Sequence, residues 1–500
     1  YMAALKVGPV LGLEGEDLYT VIFSTATDVD VASWQVGGKT ANCRVIAETP
    51  NSRVWRGEQK MTVPAGKSGK QIPYQIIIDG AAANDRNRRE EWGFYVPGKT
   101  EEARFTYGSC NGFSSLDLMH KTEEPYRLWQ EMAETHFAKD ETPFSLLLMG
   151  GDQLYADSIW TEVAGLATWN KYSKKEKEAY KIPPTTRNQI DLFFEKLYET
   201  RWTDPSMSLM LASIPSVMMW DDHDIFDGWG SFPKSMQDCE VFQYIFETAK
   251  KYFETFQIRS RFNKSLLDPD GAHYAFKADF RGYRILALDN RAERTLQQVM
   301  SSAQWEKVIA CLKEDTKAHL LVLSAVPVVY RDFTAAEKAF DATPWEEELT
   351  DDLKDHWRSK NHEGERARLI HWLLENAQIR NAGQMGEKYK TVILSGDVHI
   401  GCIGVIHDSK RNCKVHQVVS SGIVHPSPSR LQWIGIMTVT NDNTEFLDED
   451  QNIRISMLTP FASDKYIRQR NFVTLNMGTD KKLWVNWQSE GKDTPCYPIQ

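Results

Sequence analysis

The chain has 500 residues, of which 41% are hydrophobic and 26% are charged, and its formal net charge is -10. This composition is typical of a globular protein, and the length exceeds what one hydrophobic core usually supports, so more than one domain is expected. The acidic balance excludes a general nucleic-acid-binding role, because affinity for a phosphate backbone depends on clustered lysine and arginine.

The cysteines and the first residues indicate the compartment. The seven cysteines form no CxxC pair and are odd in number, so a disulfide framework is not expected. The start of the chain lacks the basic and apolar runs of a secretory signal, and no apolar stretch reaches about 18 residues. A cytoplasmic location without a membrane partner is therefore favoured, whereas a secreted or periplasmic location would require a removed leader. No feature of the sequence indicates the oligomeric state.

The order of the predicted elements separates two regions. Residues 1–98 contain short β-like runs between turn residues, which predicts a small β-sandwich domain of the fibronectin or immunoglobulin kind. Residues 103–500 alternate buried-strand runs with amphipathic segments, the pattern of an α/β domain. The stretches 156–213 and 331–363 interrupt this pattern. We interpret them as partly helical insertions near the mouth of a site, or else as solvated excursions with no role in substrate choice.

Four apolar strands of the α/β region end in short runs of metal-capable residues. These runs are Ser109-Cys110-Asn111, 151–157, 221–224 and 397–399. Because ligands of open α/β sheets bind at the carboxyl ends of strands, the four loops are expected to converge on one site.

One group of these residues suits a transition metal. Asp152 follows the second strand, where a carboxylate can bridge two cations. The thiolate of Cys110, the phenolate of Tyr155 and the imidazole of His399 would complete the ligand set of the first cation. The alternatives are an inert buried thiol for Cys110 and a core aromatic for Tyr155.

A second group offers only oxygen. Asp222 and Asp397, together with the shared Asp152, form an environment that favours a hard cation, with Ca²⁺ first and Mg²⁺ or Mn²⁺ behind it. Among its neighbours, Asp221 is expected to cap a turn or a helix start. Asp157 and Asp227 are left open between support of the site and turn chemistry.

The remaining candidates would act on the substrate. His223 is the candidate general acid, because a neighbouring carboxylate favours its protonated form, and Asp224 is predicted to orient it. A structural histidine is the alternative. Arg291 and Arg294 are predicted to bind the phosphoryl group, with a salt bridge to Asp289 or Glu293 as the alternative. The predicted phosphate-binding residues are Asn111, Arg291 and Arg294. His425 is a weaker candidate for the site.

The motifs GDQLYAD, WDDHDIFDGW, LALDNRAER and SGDVHIG occur in this order behind the predicted β-sandwich. In this combination the chain resembles the alkaline phosphatase D (PhoD-like) family of the calcineurin-like metallophosphoesterases, over essentially its whole length and most strongly over 104–425. The wider superfamily has Asp-x-His on the first strand, Asn-His in the third motif and His-x-His in the last. Here those positions are Ser109-Cys110-Asn111, Asp222-His223 and Asp397-Val398-His399, departures shared with the PhoD-like branch. A superfamily histidine expected near 324–327 is missing, which weakens the case for a second nitrogen-rich metal site.

The resemblance implies a four-layer α/β/β/α metallophosphoesterase sandwich behind the N-terminal β-sandwich. It implies Fe³⁺ beside the Ca²⁺, with Mn²⁺, Mg²⁺ and Zn²⁺ as alternatives. The expected activity is the hydrolysis of a small-molecule phosphoric ester, as an alkaline phosphatase, a phosphodiesterase or both, by a hydroxide that bridges the metals. The alternatives are a phosphodiesterase of the phospholipase D type, a phosphotriesterase, and a metal-stabilised binding protein without turnover.

Overall fold

Two large sheets carry most of the strands of the protein. The computed structural model describes residues 4–334, 355–491 and 493–500. The strands of the first hundred residues are β1 Val7–Glu14, β2 Leu18–Thr25, β3 Ala32–Val36, β4 Lys39–Asn42, β5 Arg44–Thr49, β6 Ser52–Lys60, β7 Lys70–Ile78, β8 Ala81–Ala82 and β9 Trp92–Val96.

These N-terminal strands form two facing layers. One contains β1, β2, β6 and β5, and the other contains β4, β3, β7 and β8, with β9 on the free side of β7. Buried residues alternate with more exposed ones along β7 and β9, so each strand turns one apolar face inward. The rings of Tyr19 and Phe94 meet between the layers with centroids 4.9 Å apart.

The first of these layers continues into the rest of the protein. Strand β1 pairs in parallel with β12, with Gly12 opposite Ser216. The ten-stranded sheet that results has the order β23-β22-β21-β10-β11-β12-β1-β2-β6-β5. One sheet therefore crosses the predicted domain boundary at 98–103, and the division into two domains stays a prediction.

The second sheet has eight strands in the order β13-β14-β15-β16-β18-β17-β20-β19. The strands beyond residue 100 are β10 Phe105–Gly108, β11 Leu146–Gly150, β12 Ser216–Met219, β13 Phe276–Phe280, β14 Tyr283–Ala287, β15 His319–Leu323, β16 Thr391–Ser395, β17 Cys402–Asp408, β18 Cys413–Val419, β19 Glu445–Phe446, β20 Ile453–Leu458, β21 Asn471–Met477, β22 Leu483–Ser489 and β23 Cys496–Ile499.

The described helices cover the sheets and fill the connections. They are α1 Leu116–Lys121, α2 Arg127–His136, α3 Ile159–Glu162, α4 Ala164–Trp169, α5 Lys174–Ala179, α6 Pro184–Arg201, α7 Pro205–Ser213, α8 Lys234–Gln237, α9 Glu240–Phe253, α10 Ser302–Leu312, α11 Glu363–Asn381 and α12 Arg430–Val439. Helices α3 to α7 lie within the predicted insertion 156–213. Most of the second predicted insertion, residues 335–354, lies outside the described residues.

The central strands explain where the core and the site lie. Strands β10, β11 and β12 are parallel neighbours, as are β14, β15, β16 and β18. Strands β11, β14 and β16 are buried at every position, because both faces of their sheets are covered. The rings of Phe105 and Tyr283 meet between the two sheets at 4.7 Å, and α10 and α11 pack on the other face of the second sheet. The protein is thus a mixed α/β structure with several sheets, and the carboxyl ends of its parallel strands carry the polar loops.

Among the helices described, none combines the length and the apolar character needed to cross a bilayer.

The free energy of unfolding is expected to depend on pH through two buried histidines. The Nδ1 atom of His136 accepts the backbone N–H of Phe144 at 3.1 Å, and Nδ1 of His319 accepts that of Lys390 at 2.9 Å. Burial lowers the pKa of each histidine to about 4. The unfolded chain, in which histidine has a pKa of about 6.5, therefore binds more protons between these values, and stability falls as the pH decreases from about 6.5 to about 4.

The substitutions His136→Asn and His319→Asn test this dependence, because asparagine keeps an acceptor that does not titrate. We expect each to reduce the slope of the unfolding free energy against pH in that window by up to about 1.4 kcal/mol per pH unit. Urea denaturation at a series of pH values measures the slope, and the exposed His120→Asn serves as the control. An unchanged slope in both buried variants would contradict the prediction.

Candidate metal centre

The four polar loops converge, as predicted. The backbone N–H of Cys110 donates to the carbonyl of Gly151 at 3.2 Å, and that of Asn111 donates to the carbonyl of Asp152 at 2.7 Å. The loop after β18 joins them through the N–H of His425, which donates to the carbonyl of Cys110 at 3.1 Å. Backbone hydrogen bonds therefore hold the predicted ligands in place from both sheets.

Four of the six predicted metal ligands have a left-handed backbone. The φ angles are 50° at Cys110, 53° at Asp152, 69° at Asp397 and 55° at His399. For residues other than glycine this conformation costs about 1–2 kcal/mol each and persists only where the surroundings enforce it. Such outliers cluster at functional sites, and four of the 13 among the described residues are predicted metal ligands.

Four carboxylates lie at the centre of the site. Oxygens of Asp152, Asp221, Asp222 and Asp397 all lie within 4.8 Å of one another. One oxygen each of Asp152, Asp221 and Asp222 is buried and has no hydrogen-bond partner among the described residues. Burial and the neighbouring carboxylates raise the pKa values of Asp152 and Asp397 well above their usual range. Buried acidic groups this close together require positive charge, and the unpartnered oxygens fit the ligands of a hard cation.

The other predicted ligands adjoin this cluster through Asp152. The Sγ atom of Cys110 lies 3.6 Å from Oδ2 of Asp152, and the hydroxyl of Tyr155 lies 3.2 Å from Nε2 of His399. Burial raises the pKa values of Cys110 and Tyr155 well above their usual range in the protein alone. A bound cation reverses this effect by favouring the thiolate and the phenolate. The structure thus places Cys110 against Asp152 and Tyr155 against His399, while the group of oxygens within 4.8 Å of one another contains Asp152, Asp222 and Asp397 together with Asp221; the assignment of two ligand sets that share Asp152 stays a prediction.

His223 faces the same cluster. A ring nitrogen of His223 lies within 4.8 Å of oxygens of Asp152 and Asp222, and its ring stacks on Tyr155 with centroids 4.3 Å apart. Its Nδ1 atom lies 2.8 Å from Oδ2 of Asp157. Burial alone would lower the pKa of His223, but the charges of Asp157 and Asp222 outweigh burial and raise it well above the usual value. The protonated imidazolium is therefore the favoured form.

The prediction that Asp224 orients His223 is wrong. The carboxylate of Asp224 accepts the backbone N–H groups of Asp221 at 2.9 Å and of Leu154 at 3.1 Å, and the amide of Gln257 at 2.9 Å. It forms a capping box with Asp221 around the 3₁₀ turn Asp222–Asp224. Asp224 therefore links the loops 151–157 and 221–224 by hydrogen bonds, while Asp157 contacts the imidazole of His223.

The two arginines predicted to bind phosphate are already paired inside the protein. The fully buried guanidinium of Arg291 donates to Asp221 and, through both terminal nitrogens, to Asp355, with one of these contacts at 2.6 Å. Arg294 donates to the backbone carbonyl of Asp355. The alternative of a salt bridge is therefore correct for Arg291, but the partners are these two aspartates. Asp289 instead accepts the backbone N–H of Arg291 at 3.0 Å.

Asn111, the third predicted phosphate-binding residue, also points into the protein. Its side-chain oxygen accepts Nε1–H of Trp129 at 2.8 Å, and its amide nitrogen donates to the carbonyl of Gln153 at 3.4 Å. The direct phosphate contact predicted for this residue is therefore not supported by the structure.

Sequence analysis gave too little weight to His425 and did not identify Asp355. The ring of His425 stacks on His399 with centroids only 3.8 Å apart, and its Nε2 lies 3.3 Å from the hydroxyl of Ser114. Burial lowers the pKa of His425 to about 4, so its ring is neutral at neutral pH. The position of His425 after β18 is the same strand-end signal that identified the other loops. No such signal marks Asp355, which comes from the insertion 331–363.

Comparisons with known proteins agree with this geometry. A model of the PhoD-related phosphatase family matches residues 88–345. A protein of Saccharomyces cerevisiae is 26% identical over 469 residues, which cover 80% of this chain and 61% of that protein, so this chain spans about three fifths of its relative.

Two solved structures share the fold. The structure of PhoD aligns with a TM-score of 0.62 at 13% identity, covering 100% of this chain and 92% of PhoD. The purple acid phosphatase PPD1 from yellow lupin seeds aligns with a TM-score of 0.52 at 12% identity, covering 100% of this chain and 74% of that one. The resemblance predicted from the motifs is thereby confirmed. Since the family model matches more than half of its length, the chain belongs to the PhoD-related phosphatases.

Proposed function

We propose that this protein hydrolyses phosphoric esters with the help of bound metal ions. The observation that carries the proposal is the set of three buried carboxylate oxygens, on Asp152, Asp221 and Asp222, that have no hydrogen-bond partner among the described residues. They lie in one cluster with Asp397, beside an imidazole whose protonated form is favoured. Positive charge for a phosphoryl group and a proton for its leaving group are the two requirements of the reaction.

The chemistry of the ligands supports two cations. Cys110, Tyr155, His399 and Asp152 would hold Fe³⁺, because thiolate, phenolate and imidazole suit a transition metal. Asp152, Asp222 and Asp397 would hold Ca²⁺, with Mn²⁺, Mg²⁺ and Zn²⁺ as the alternatives in the two positions. When bound, the cations supply Lewis acidity toward the phosphoryl oxygens.

The residues of the chain would then position the substrate and move the proton. Because Asn111, Arg291 and Arg294 are engaged inside the protein, the negative charge of the phosphoryl group would be balanced mainly by the cations held at the carboxylate cluster and by His223. The imidazolium of His223 would protonate the departing oxygen, and Asp157 would fix the orientation of the ring through Nδ1. This makes Asp157 a positioning residue and His223 the catalytic one.

The proposal also concerns which class of phosphoric ester the protein hydrolyses. Monoesters and diesters both present a phosphoryl oxygen to the cluster, so we propose alkaline phosphatase activity, phosphodiesterase activity or both. A phospholipase D-type or phosphotriesterase activity is the alternative among enzymes. A binding protein without turnover is disfavoured, because it would have no need of the contact between Asp157 and His223 at 2.8 Å.

We also propose how the layers of helices and sheets are arranged. We infer a four-layer α/β/β/α order from the aromatic contacts between the two sheets and from the packing of α10 and α11 behind the second sheet. The two layers of residues 7–96 support an N-terminal β-sandwich that shares one sheet with the catalytic region.

Removal of the metals tests the proposal. We expect the purified protein to contain iron, to hydrolyse p-nitrophenyl phosphate, and to lose this activity on chelation and regain it when cations are returned. A calcium-selective chelator should suffice. The substitution Asp397→Ala should raise the calcium concentration that gives half-maximal activity, whereas Asp117→Ala, at an exposed position, should not. Full activity after all metals have been removed would refute the proposal.

A further inference from the structure

Helix α12 begins directly after the loop that carries His425, at the edge of the metal centre. The hydroxyl of Ser429 caps it by accepting the backbone N–H of Gln432 at 3.3 Å. No residue of this helix is buried, although most of its side chains are apolar. The exposed fractions of its outer side chains are 81% for Leu431, 52% for Ile434 and 43% for Met437.

Among the described residues, contacts are made only by the opposite side of α12. Trp433 meets the ring of Tyr466 at 5.3 Å, and the guanidinium of Arg331 lies 5.9 Å from the ring of Trp433. An ordinary surface helix turns polar residues to solvent, and a helix that is apolar on all sides is normally buried. The outer side of α12, formed by Leu431, Ile434 and Met437, therefore has no cover within residues 4–334, 355–491 and 493–500 of the kind that its composition requires.

The charges around α12 indicate what kind of surface would cover it. The chain carries a net charge of -10, yet residues 426–441 contain no aspartate or glutamate, and Arg430 is their only charged residue. The next residue, Asp442, is paired with Lys465 at 2.9 Å. Arg430 and Arg468 are exposed, and neither forms an ion pair within the described part of the chain. Arg468 lies two positions beyond Tyr466, the ring that contacts Trp433. An apolar strip flanked by arginine is complementary to an anionic membrane surface.

The same side of the metal centre carries further apolar surface. Ser114, whose hydroxyl contacts His425, leads into helix α1, where Leu116 is 37% exposed. The site would thus face a membrane on which α12 rests, so that an ester carried by an apolar chain could reach the cluster without leaving the lipid phase.

We propose that α12 inserts its outer side into a membrane surface and that the site acts on a phosphoric ester carried by a membrane lipid. This inference rests on the proposed function. In the reaction water adds across the P–O ester bond, with its hydroxyl going to phosphorus and its proton to the leaving oxygen. The helix lies on the membrane and does not cross it, and this partner differs from the sequence-based expectation of none.

A second copy of the chain fits the helix less well. A stable interface between proteins buries about 800 Å² on each partner. Three side chains of one short helix offer much less than this, whereas insertion into a bilayer needs only a narrow apolar strip beside basic residues.

Flotation with vesicles tests the proposal. We compare vesicles of phosphatidylcholine with and without phosphatidylserine, using the wild type, the double variant Leu431→Gln/Ile434→Gln and the control Phe262→Gln/Met385→Gln. The control removes two apolar side chains that are 77% and 103% exposed elsewhere on the protein, before β13 and before β16. Loss of two inserted apolar side chains should lower binding by about tenfold to hundredfold, whereas the control should bind like the wild type.

Two activities, both measured on the metal-loaded protein, separate this inference from the proposed function. All three proteins should hydrolyse p-nitrophenyl phosphate equally, because α12 does not contribute to the metal cluster. Release of phosphate or choline from phosphatidic acid and phosphatidylcholine in the vesicles should fall only in the α12 variant.

The inference would be overturned if the wild type did not bind vesicles, if the α12 and control variants bound equally, or if light scattering showed a dimer that only the α12 variant dissociates. A wild type inactive on the aryl ester that still bound vesicles through α12 would instead overturn the proposed function.

Discussion

The substitution His223→Ala is expected to lower kcat/KM for alkyl phosphates by about 10² to 10⁴, the usual contribution of a positioned general acid. An alkoxide is a poor leaving group and needs the proton, whereas p-nitrophenolate leaves without it. Hydrolysis of p-nitrophenyl phosphate should therefore be affected much less. Steady-state kinetics on the two classes of ester measure the difference, and metal analysis should show a content near that of the wild type.

Two carboxylate variants sharpen this experiment. Asp157→Asn removes the charge beside Nδ1 of His223 and should reproduce part of the loss on alkyl esters, with a shift of the alkaline limb of the pH–rate profile to lower pH. Asp224→Asn should not change the preference between the esters, because its carboxylate contacts backbone amides and Gln257. If His223→Ala removes a metal, or slows both esters equally, the imidazole is a ligand or a transition-state binder and not the proton donor.

Replacement of Arg291 is expected to have the largest effect on stability. Arg291→Met would leave Asp221 and Asp355 without their buried counter-ion, and removal of one partner from a buried ion pair typically costs about 3–5 kcal/mol. The second substitution Asp355→Leu should recover part of the loss, since it removes one of the uncompensated charges. Urea denaturation of the metal-free protein measures these differences.

The matched control is an exposed ion pair. Lys121→Met breaks the contact of Lys121 with Asp117 at 2.6 Å, and such surface pairs contribute roughly 0–1 kcal/mol. An Arg291→Met protein of unchanged stability, with a raised KM for phosphate esters, would mean that the guanidinium binds the substrate, as the sequence had suggested.

The sequence predicted the place of the site because that place follows from a simple pattern. Apolar strands such as β11 and β16 are buried throughout, and polar residues directly after them must lie at one edge of a sheet. This pattern was sufficient to bring Cys110, Asp152 and Asp397 together. It did not depend on the direction of any individual side chain.

The side-chain directions could not be predicted in the same way. Asp157 and Asp224 are both acidic neighbours of His223, but the 3₁₀ turn Asp222–Asp224 directs Asp224 back to backbone amides and leaves Asp157 to contact the ring. The environment of Arg291 depends on Asp355, which is remote from it in sequence. Local patterns contain no information about such long-range partners.

The exposed apolar side of α12 could not be predicted from the sequence either. Its sequence is that of a buried helix, and only the packing of its neighbours reveals that one side is left open.

The pairing of β1 with β12 has a consequence for any attempt to isolate the catalytic region. Without the first hundred residues, β12 would become a free edge with unpaired backbone groups in the middle of what is now a ten-stranded sheet. Exposed edges of this kind pair with other chains and cause aggregation. The N-terminal strands therefore protect β12 from pairing with another chain, whatever else they contribute to the protein.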